Sequence, residues 1–196
     1  MSYNLQYSLI RSNRKSISVE IQRDGTALVR APRWSPKFEI DAFVLSHEEW
    51  IREQQAKMAI QFIEDAWTPK LTTAEIKSLA KTARLDIKDR IERWAPIVAP
   101  DSAWANITDR KPRLSIRHQK TLWGSCTREG NLNFNCLLML APEDVRDYIV
   151  VHELCHLKHM NHSRAFWNLV ERAMPNYREQ KKWLKENGHL LLARLD

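Results

Sequence analysis

Residues 145–162 constrain this chain more than any other stretch, because they contain His152-Glu153-Leu154-Cys155-His156 and a further histidine at His162. On an α-helix each residue advances about 100°, so His152 and His156 lie about 40° apart and one turn along, close enough to share one ion. Two neutral imidazoles beside an open coordination position suit a catalytic Zn²⁺. Glu153 falls on the same half of the helix, displaced toward His156, where a carboxylate can take a proton from a metal-bound water.

The surroundings of the motif support a buried helix. Pro142 fits a first helical turn, and Glu143 and Asp144 complement the positive end of a helix dipole. Tyr148-Ile149-Val150-Val151 leads into the motif, and Leu154 and Leu157 continue its back face. A helix apolar on all sides is buried. Two histidines and a glutamate on it need partners, since unpaired polar groups are costly there. A metal resolves this in one step; the alternative is a pair of core histidines bonded to backbone.

Three residues are candidates for a third ligand. His159 lies seven residues beyond His152, about 10 Å along a straight helix, and does not reach the shared ion. If Met160-Asn161 breaks the helix, with Asn161 tolerating left-handed backbone, His162 returns toward the metal and Ser163 caps the next helix. Glu171 on that next helix would instead give a His-His-Glu site. His162 is preferred, then Glu171, then His159.

The stretch Val151-His152-Glu153-Leu154-Cys155-His156-Leu157, followed by Asn161-His162-Ser163, Phe166-Trp167 and Met174-Pro175-Asn176-Tyr177, resembles the YgjP-like family of zincin metallopeptidases, which is related to the SprT-like and WLM proteases. Upstream, Trp123-Gly124-Ser125-Cys126, Asn133 and Ala141-Pro142 match the same pattern. The resemblance covers most of the chain, including an Arg-rich N-terminal β segment. It implies a zinc site of His152, His156 and His162 with Glu153 as base, and names no substrate.

At 196 residues and 43% hydrophobic content the chain has enough apolar matter for a real core. No run approaches the ~20 apolar residues of a membrane span. The first six residues lack the basic-then-apolar order of a signal peptide. Cys126, Cys136 and Cys155 show no zinc-knuckle spacing and read as reduced thiols of a cytoplasmic protein, with Cys155 a core filler. The net charge of +7 permits contact with nucleic acid or an acidic substrate, but acids are interspersed throughout, as on a solvated surface. The eight tryptophans are read as packing residues.

Along the chain, Ile17, Val19 and Ile21 alternate as in a strand, Asp24-Gly25 is a hairpin turn, and Ala27-Leu28-Val29-Arg30 returns. Arg11, Arg14 and Lys15 make a basic segment ahead of this hairpin. Residues 38–67 turn helical, with a second start at Ser46-His47-Glu48-Glu49 and a buried face of Trp50, Ile51, Met58 and Phe62. Thr68-Pro69-Lys70 is a short linker. Thr72-Thr73-Ala74-Glu75 is a capping box opening a long amphipathic helix that Ala95-Pro96 ends. Residues 113–118 alternate as a strand, and a hairpin follows around Arg128-Glu129-Gly130-Asn131. In zincin-type folds, the resemblance implies, one edge strand lines the cleft and binds extended substrate. Trp123-Gly124-Ser125 lies near that edge or packs tightly without touching substrate. Asn187-Gly188 is a helix stop signal.

The expected fold is therefore α+β, a zincin-like core over residues 72–190 with helices on a small antiparallel sheet, and an N-terminal β-hairpin with helices over residues 1–67. The expected activity is zinc-dependent hydrolysis of a peptide or protein substrate, with Tyr148 a geometric candidate for oxyanion stabilisation. Two rivals stand beside it. A metal-dependent hydrolase of nucleotides or phosphate esters fits the charge, but the chain lacks a P-loop and a carboxylate cluster for Mg²⁺. A DNA-associated zinc protein fits the SprT-like relationship, but a purely structural site has no need of Glu153.

Overall fold

The computed structural model describes residues 6–22, 24–106 and 112–195. The reading of the N-terminus as leaderless rests mainly on residues 1–5, which lie outside these. The chain divides into two compact units, Met1–Trp67 and Thr68–Asp196.

In the first unit, β1 (Tyr7–Ser12), β2 (Ser18–Ile21) and β3 (Ala27–Pro32) form a sheet in the order β1-β3-β2. The β2–β3 pair is the expected antiparallel hairpin. Gly25 takes the positive φ of its turn, +80°, and Asp24 Oδ1 accepts from the Thr26 amide at 2.9 Å. β1 was foreseen only as the Arg-rich β segment that the resemblance implied, without its bounds or partner. It runs parallel to β3, and its adjacent Leu9 and Ile10 blur the alternation that would have marked it. The basic edge is partly structural: the Arg11 guanidinium donates to the Pro32, Arg33 and Ser35 carbonyls at 3.3, 3.1 and 2.6 Å.

Helices α1 (Lys37–Ser46) and α2 (Glu48–Trp67) follow. Ile40, Val44 and Ile51 pack with Ala27, Val29 and Ala31 of the central strand. Trp50 and Phe62 do not join this core and are 43% and 71% exposed. Trp50, one residue before buried Ile51, lies about 100° round the helix on its outer side, and Phe62 lies in the second half of α2, whose 20 residues extend about 30 Å, beyond the roughly 20 Å that strands of four to six residues span.

The second unit is built on α3 (Thr73–Val98), opened by the predicted capping box: the Glu75 amide donates to Thr72 Oγ1 at 3.3 Å and the Thr72 amide to Glu75 Oε2 at 2.8 Å. The helix runs through Pro96 instead of stopping there. A proline in the last turn removes few intrahelical bonds, and Ala99 N–H still closes on the Ala95 carbonyl. Strands β4 (Leu114–Arg117), β5 (Gly124–Cys126) and β6 (Leu132–Asn135) form a sheet in the order β4-β6-β5. The β5–β6 hairpin is antiparallel as expected, but β4 is parallel to β6, so the sheet is mixed. The chain leaves β4 for an outer position and returns into the middle place. Buried Asn135 holds that excursion, donating to the Gln119 and Leu122 carbonyls at 2.7 and 3.0 Å and accepting from the Leu137 amide at 3.1 Å.

Helices α4 (Glu143–Cys155), α5 (Arg164–Ala173) and α6 (Tyr177–Leu192) complete the unit. Pro142 precedes α4 with extended backbone and does not occupy its first turn. α4 is central: Val145, Val150, Val151, Leu154 and Cys155 are all within 1% of full burial. Its outer half is tied to α3 by ions. Arg90, 5% exposed, lies 2.7 Å from both Asp86 and Asp147, and Trp94 Nε1 donates to Asp147 at 3.0 Å. Arg146 on α4 reaches back to Asp86 at 2.8 Å. α6 passes through Asn187-Gly188 without stopping. Gly188 serves close packing: a Cβ there would stand 3.1 Å from the Trp123 ring. The three cysteines are free, Cys136 and Cys155 buried. No described helix is long and apolar enough to cross a membrane.

Candidate metal centre

His152 and Glu153 lie in the last turn of α4, and His156 is its C-cap, still right-handed at φ −66° and ψ −20°. The helix thus ends inside the motif, earlier than the expected break at Met160-Asn161. A tightening turn follows, in which the Leu157 amide reaches the Leu154 carbonyl and the amides of Lys158 and His159 share the Cys155 carbonyl. No described non-glycine residue has positive φ, so Asn161 does not turn through left-handed backbone. Ser163 caps α5 by accepting from the Phe166 amide at 3.5 Å, which brings His162 to the mouth of that helix.

The effect is convergence. One ligating atom from each of His152, His156 and His162 lies within 4.8 Å of the others. His162 Nε2 stands 3.0 Å from His152 Nε2. His156 Nδ1 lies 3.0 Å from the His159 carbonyl. A carbonyl only accepts, so Nδ1 carries the proton and the Nε2 lone pair is left for a metal. Of the other two candidates, His159 supplies this carbonyl and its ring stays outside the cluster. Glu171 is engaged by Arg178 at 2.6 Å.

One side of the pocket is apolar. Fully buried Phe166 packs against all three imidazoles, with ring centres 4.6 Å from His156, 4.8 Å from His162 and 4.9 Å from His152. Trp167 stacks on His162 at 5.8 Å. Burial, then the neighbouring imidazoles and Lys181, push the His152 imidazole down to about 3; burial also lowers that of His156. Burial thus favours the neutral form of both rings, the form that binds a metal. Glu153 is 5% exposed and its Oε2 has no hydrogen-bond partner among the described residues. Burial pushes its carboxyl up to about 8. His152 Nδ1 is likewise buried without a partner. Three imidazole nitrogens converging beside an unsatisfied carboxyl fit a zinc ion.

Gly124 on edge strand β5 makes this arrangement possible, since a Cβ there would lie 2.6 Å from Glu153 Oε1 and 2.7 Å from its Cγ. Tyr148 lies one turn back, its ring centre 6.0 Å from that of His152, in a stack with Tyr177. A cleft of about 450 Å³ opens on the flank of His156, lined by Trp104, Leu157 and Met160 with Arg128 and Glu129 among its polar walls. The roles of Phe166, Trp167 and Gly124 as walls of the site were not evident from sequence. The first-turn position of the two aromatics, just after the Ser163 cap, was the available signal.

No curated protein matches the sequence. Among solved structures, the crystal structure of the metallopeptidase zymogen of Pyrococcus abyssi abylysin aligns over 51% of this chain and 93% of its own length, at 24% identity and a TM-score of 0.42. The model of the YgjP-like metallopeptidase domain matches in two overlapping segments, residues 15–91 and 70–187. These segments take in both compact units and all four motif residues, and the chain belongs to the YgjP-like metallopeptidase family.

Proposed function

We propose that this chain hydrolyses peptide bonds with a zinc ion held by His152, His156 and His162, and with Glu153 as general base. The observation that carries the reading is the meeting of three imidazoles beside a buried carboxylate. A zinc ion bound there supplies a Lewis acid that acidifies water and polarises a carbonyl. The residues do the rest. The His159 carbonyl fixes the tautomer of His156, and Phe166 keeps bulk water from the inner side of the cluster. Glu153 Oε2, without a competing hydrogen bond, accepts a proton and returns it to the leaving amine. Edge strand β5, whose Gly124 touches Glu153, offers backbone groups to an extended peptide.

The test is cleavage of an unfolded protein and a mixed peptide pool by zinc-loaded protein, with chelated protein as the blank. Chelator-sensitive cleavage that is restored by zinc is the expected result. Cleavage unaffected by metal removal, in protein shown to have lost its zinc, would overturn the reading.

A further inference from the structure

Lys181 on α6 lies over an aromatic ring that lines the imidazole cluster. Its ammonium sits 4.1 Å from the centre of the Trp167 ring, and that ring in turn stacks on His162 and stands edge-on to His152 at 5.9 Å. The lysine is therefore one indole away from two of the three converging imidazoles.

Two neighbouring cations on α6 are paired. Arg178, which lies over Tyr177, is paired with Glu171 at 2.6 Å. Lys182 pairs with Glu186 at 3.9 Å. Lys181 has no carboxylate within ion-pair distance among the described residues. It is exposed, as is His162, so both reach the solvent from which a substrate arrives. A cation held over an aromatic face keeps its charge and a preferred position, losing less freedom on binding an anion than a free lysine would.

We propose that Lys181, seated on Trp167, is a specificity determinant that favours substrates bearing a carboxylate close to the scissile bond. The carboxylate belongs to an aspartate or glutamate side chain or to a free peptide C-terminus. Trp167 is the positioning residue that holds the ammonium beside the cluster. This rests on the metallopeptidase reading above, so binding is measured separately from turnover.

The probes are short peptide hydroxamates, whose hydroxamate seeks the zinc. One set carries Asp, Asn or Lys beside the hydroxamate with the C-terminus amidated, and the other carries a neutral residue with the C-terminus free or amidated. Dissociation constants are taken by calorimetry on zinc-loaded and chelated protein. Wild type should bind the preferred acidic member about fivefold more tightly than its neutral partner, the scale of one partly exposed ion pair. Lys181→Gln should bring that ratio to about one, Lys181→Glu should invert it, and Lys181→Arg should restore it. The set that shows the ratio identifies which carboxylate is read. Zinc-dependent binding with equal affinity for acidic and neutral members of both sets would overturn the assignment of Lys181 and leave the metallopeptidase reading standing. An acidic preference unchanged in Lys181→Gln would also overturn it. Hydroxamates that bind no better to zinc-loaded than to chelated protein would overturn both.

Discussion

Gly124 and Glu153 touch so closely that no side chain fits between them: the first carbon added to Gly124 would come within 2.6 Å of Glu153 Oε1 and 2.7 Å of its Cγ. The conflict is with the stem of a buried carboxylate as well as its tip, so Glu153 cannot simply swing aside. Gly124→Ala should displace the carboxylate by about 1 Å, and misplacement of that size costs about 10²-fold in rate. Zinc content should be kept, because no imidazole is disturbed. Parallel measurement of bound zinc and of peptide cleavage checks both halves.

Glu153→Gln keeps the shape of the side chain and removes its basicity. Cleavage should fall by about 10²–10⁴-fold, with zinc content and melting temperature nearly unchanged. The same variant tests the electrostatics of the metal-free protein. Burial raises the Glu153 carboxyl from 4.5 to about 8, so the folded chain holds this proton more tightly than the unfolded chain. That contribution to stability is complete below about pH 4.5 and is lost as pH rises through 8. His152 acts in the opposite sense. Its imidazole is depressed from 6.5 to about 3, and its contribution, complete above 6.5, is lost as pH falls. Denaturant midpoints of chelated protein should therefore decline on both sides of mildly acidic pH, and Glu153→Gln should flatten the alkaline side alone.

The identity of the third ligand is open to a direct comparison. His162→Ala should weaken zinc binding by more than the 10–100-fold typical of losing an outer-sphere partner, since a direct ligand is removed. Glu171→Ala should leave zinc affinity unchanged and release only the exposed Arg178. Competition against a chromophoric zinc chelator ranks the two variants; the reverse order would make the site His-His-Glu.

Arg90 stands between Asp86 and Asp147 with a side chain only 6% exposed. Arg90→Met should destabilise the fold by about 3 kcal/mol, because it leaves the largely buried Asp147 without its close cation and Asp86 with Arg146 alone. Chemical denaturation at neutral pH measures the loss.

Much of this site was legible in the sequence, for physical reasons that differ from residue to residue. The spacing of His152 and His156 carries its own geometry, and Thr72 with Glu75 is a local device that reads as well in sequence as in space. The return of His162 was foreseen but its route was not. The helix stops at Cys155 through a shared carbonyl, a matter of backbone bonding that no side chain announces, and not through Asn161. Gly188 looked like a stop because a glycine that ends a helix and one that admits a neighbouring ring are the same letter; only Trp123, 65 positions away in the chain, distinguishes them. The parallel placements of β1 and β4 depend on contacts distant in sequence and leave no local trace. The length of α2 was evident, but that the small sheet beneath it ends first was not.

The unpaired atoms at the centre have a consequence for how the molecule must be built. Among the described residues His152 Nδ1 and Glu153 Oε2 are buried without hydrogen-bond partners, and the His152 and His162 nitrogens stand 3.0 Å apart. Such a spot is locally frustrated: each residue there is in an environment that a chain selected for folding alone would avoid. A frustrated patch survives only where the surrounding framework leaves it no room to relax. The close-packed flank of α4 and its ionic ties to α3 supply that rigidity, so tolerance for substitution should be lowest along the side of α4 that faces away from the imidazoles.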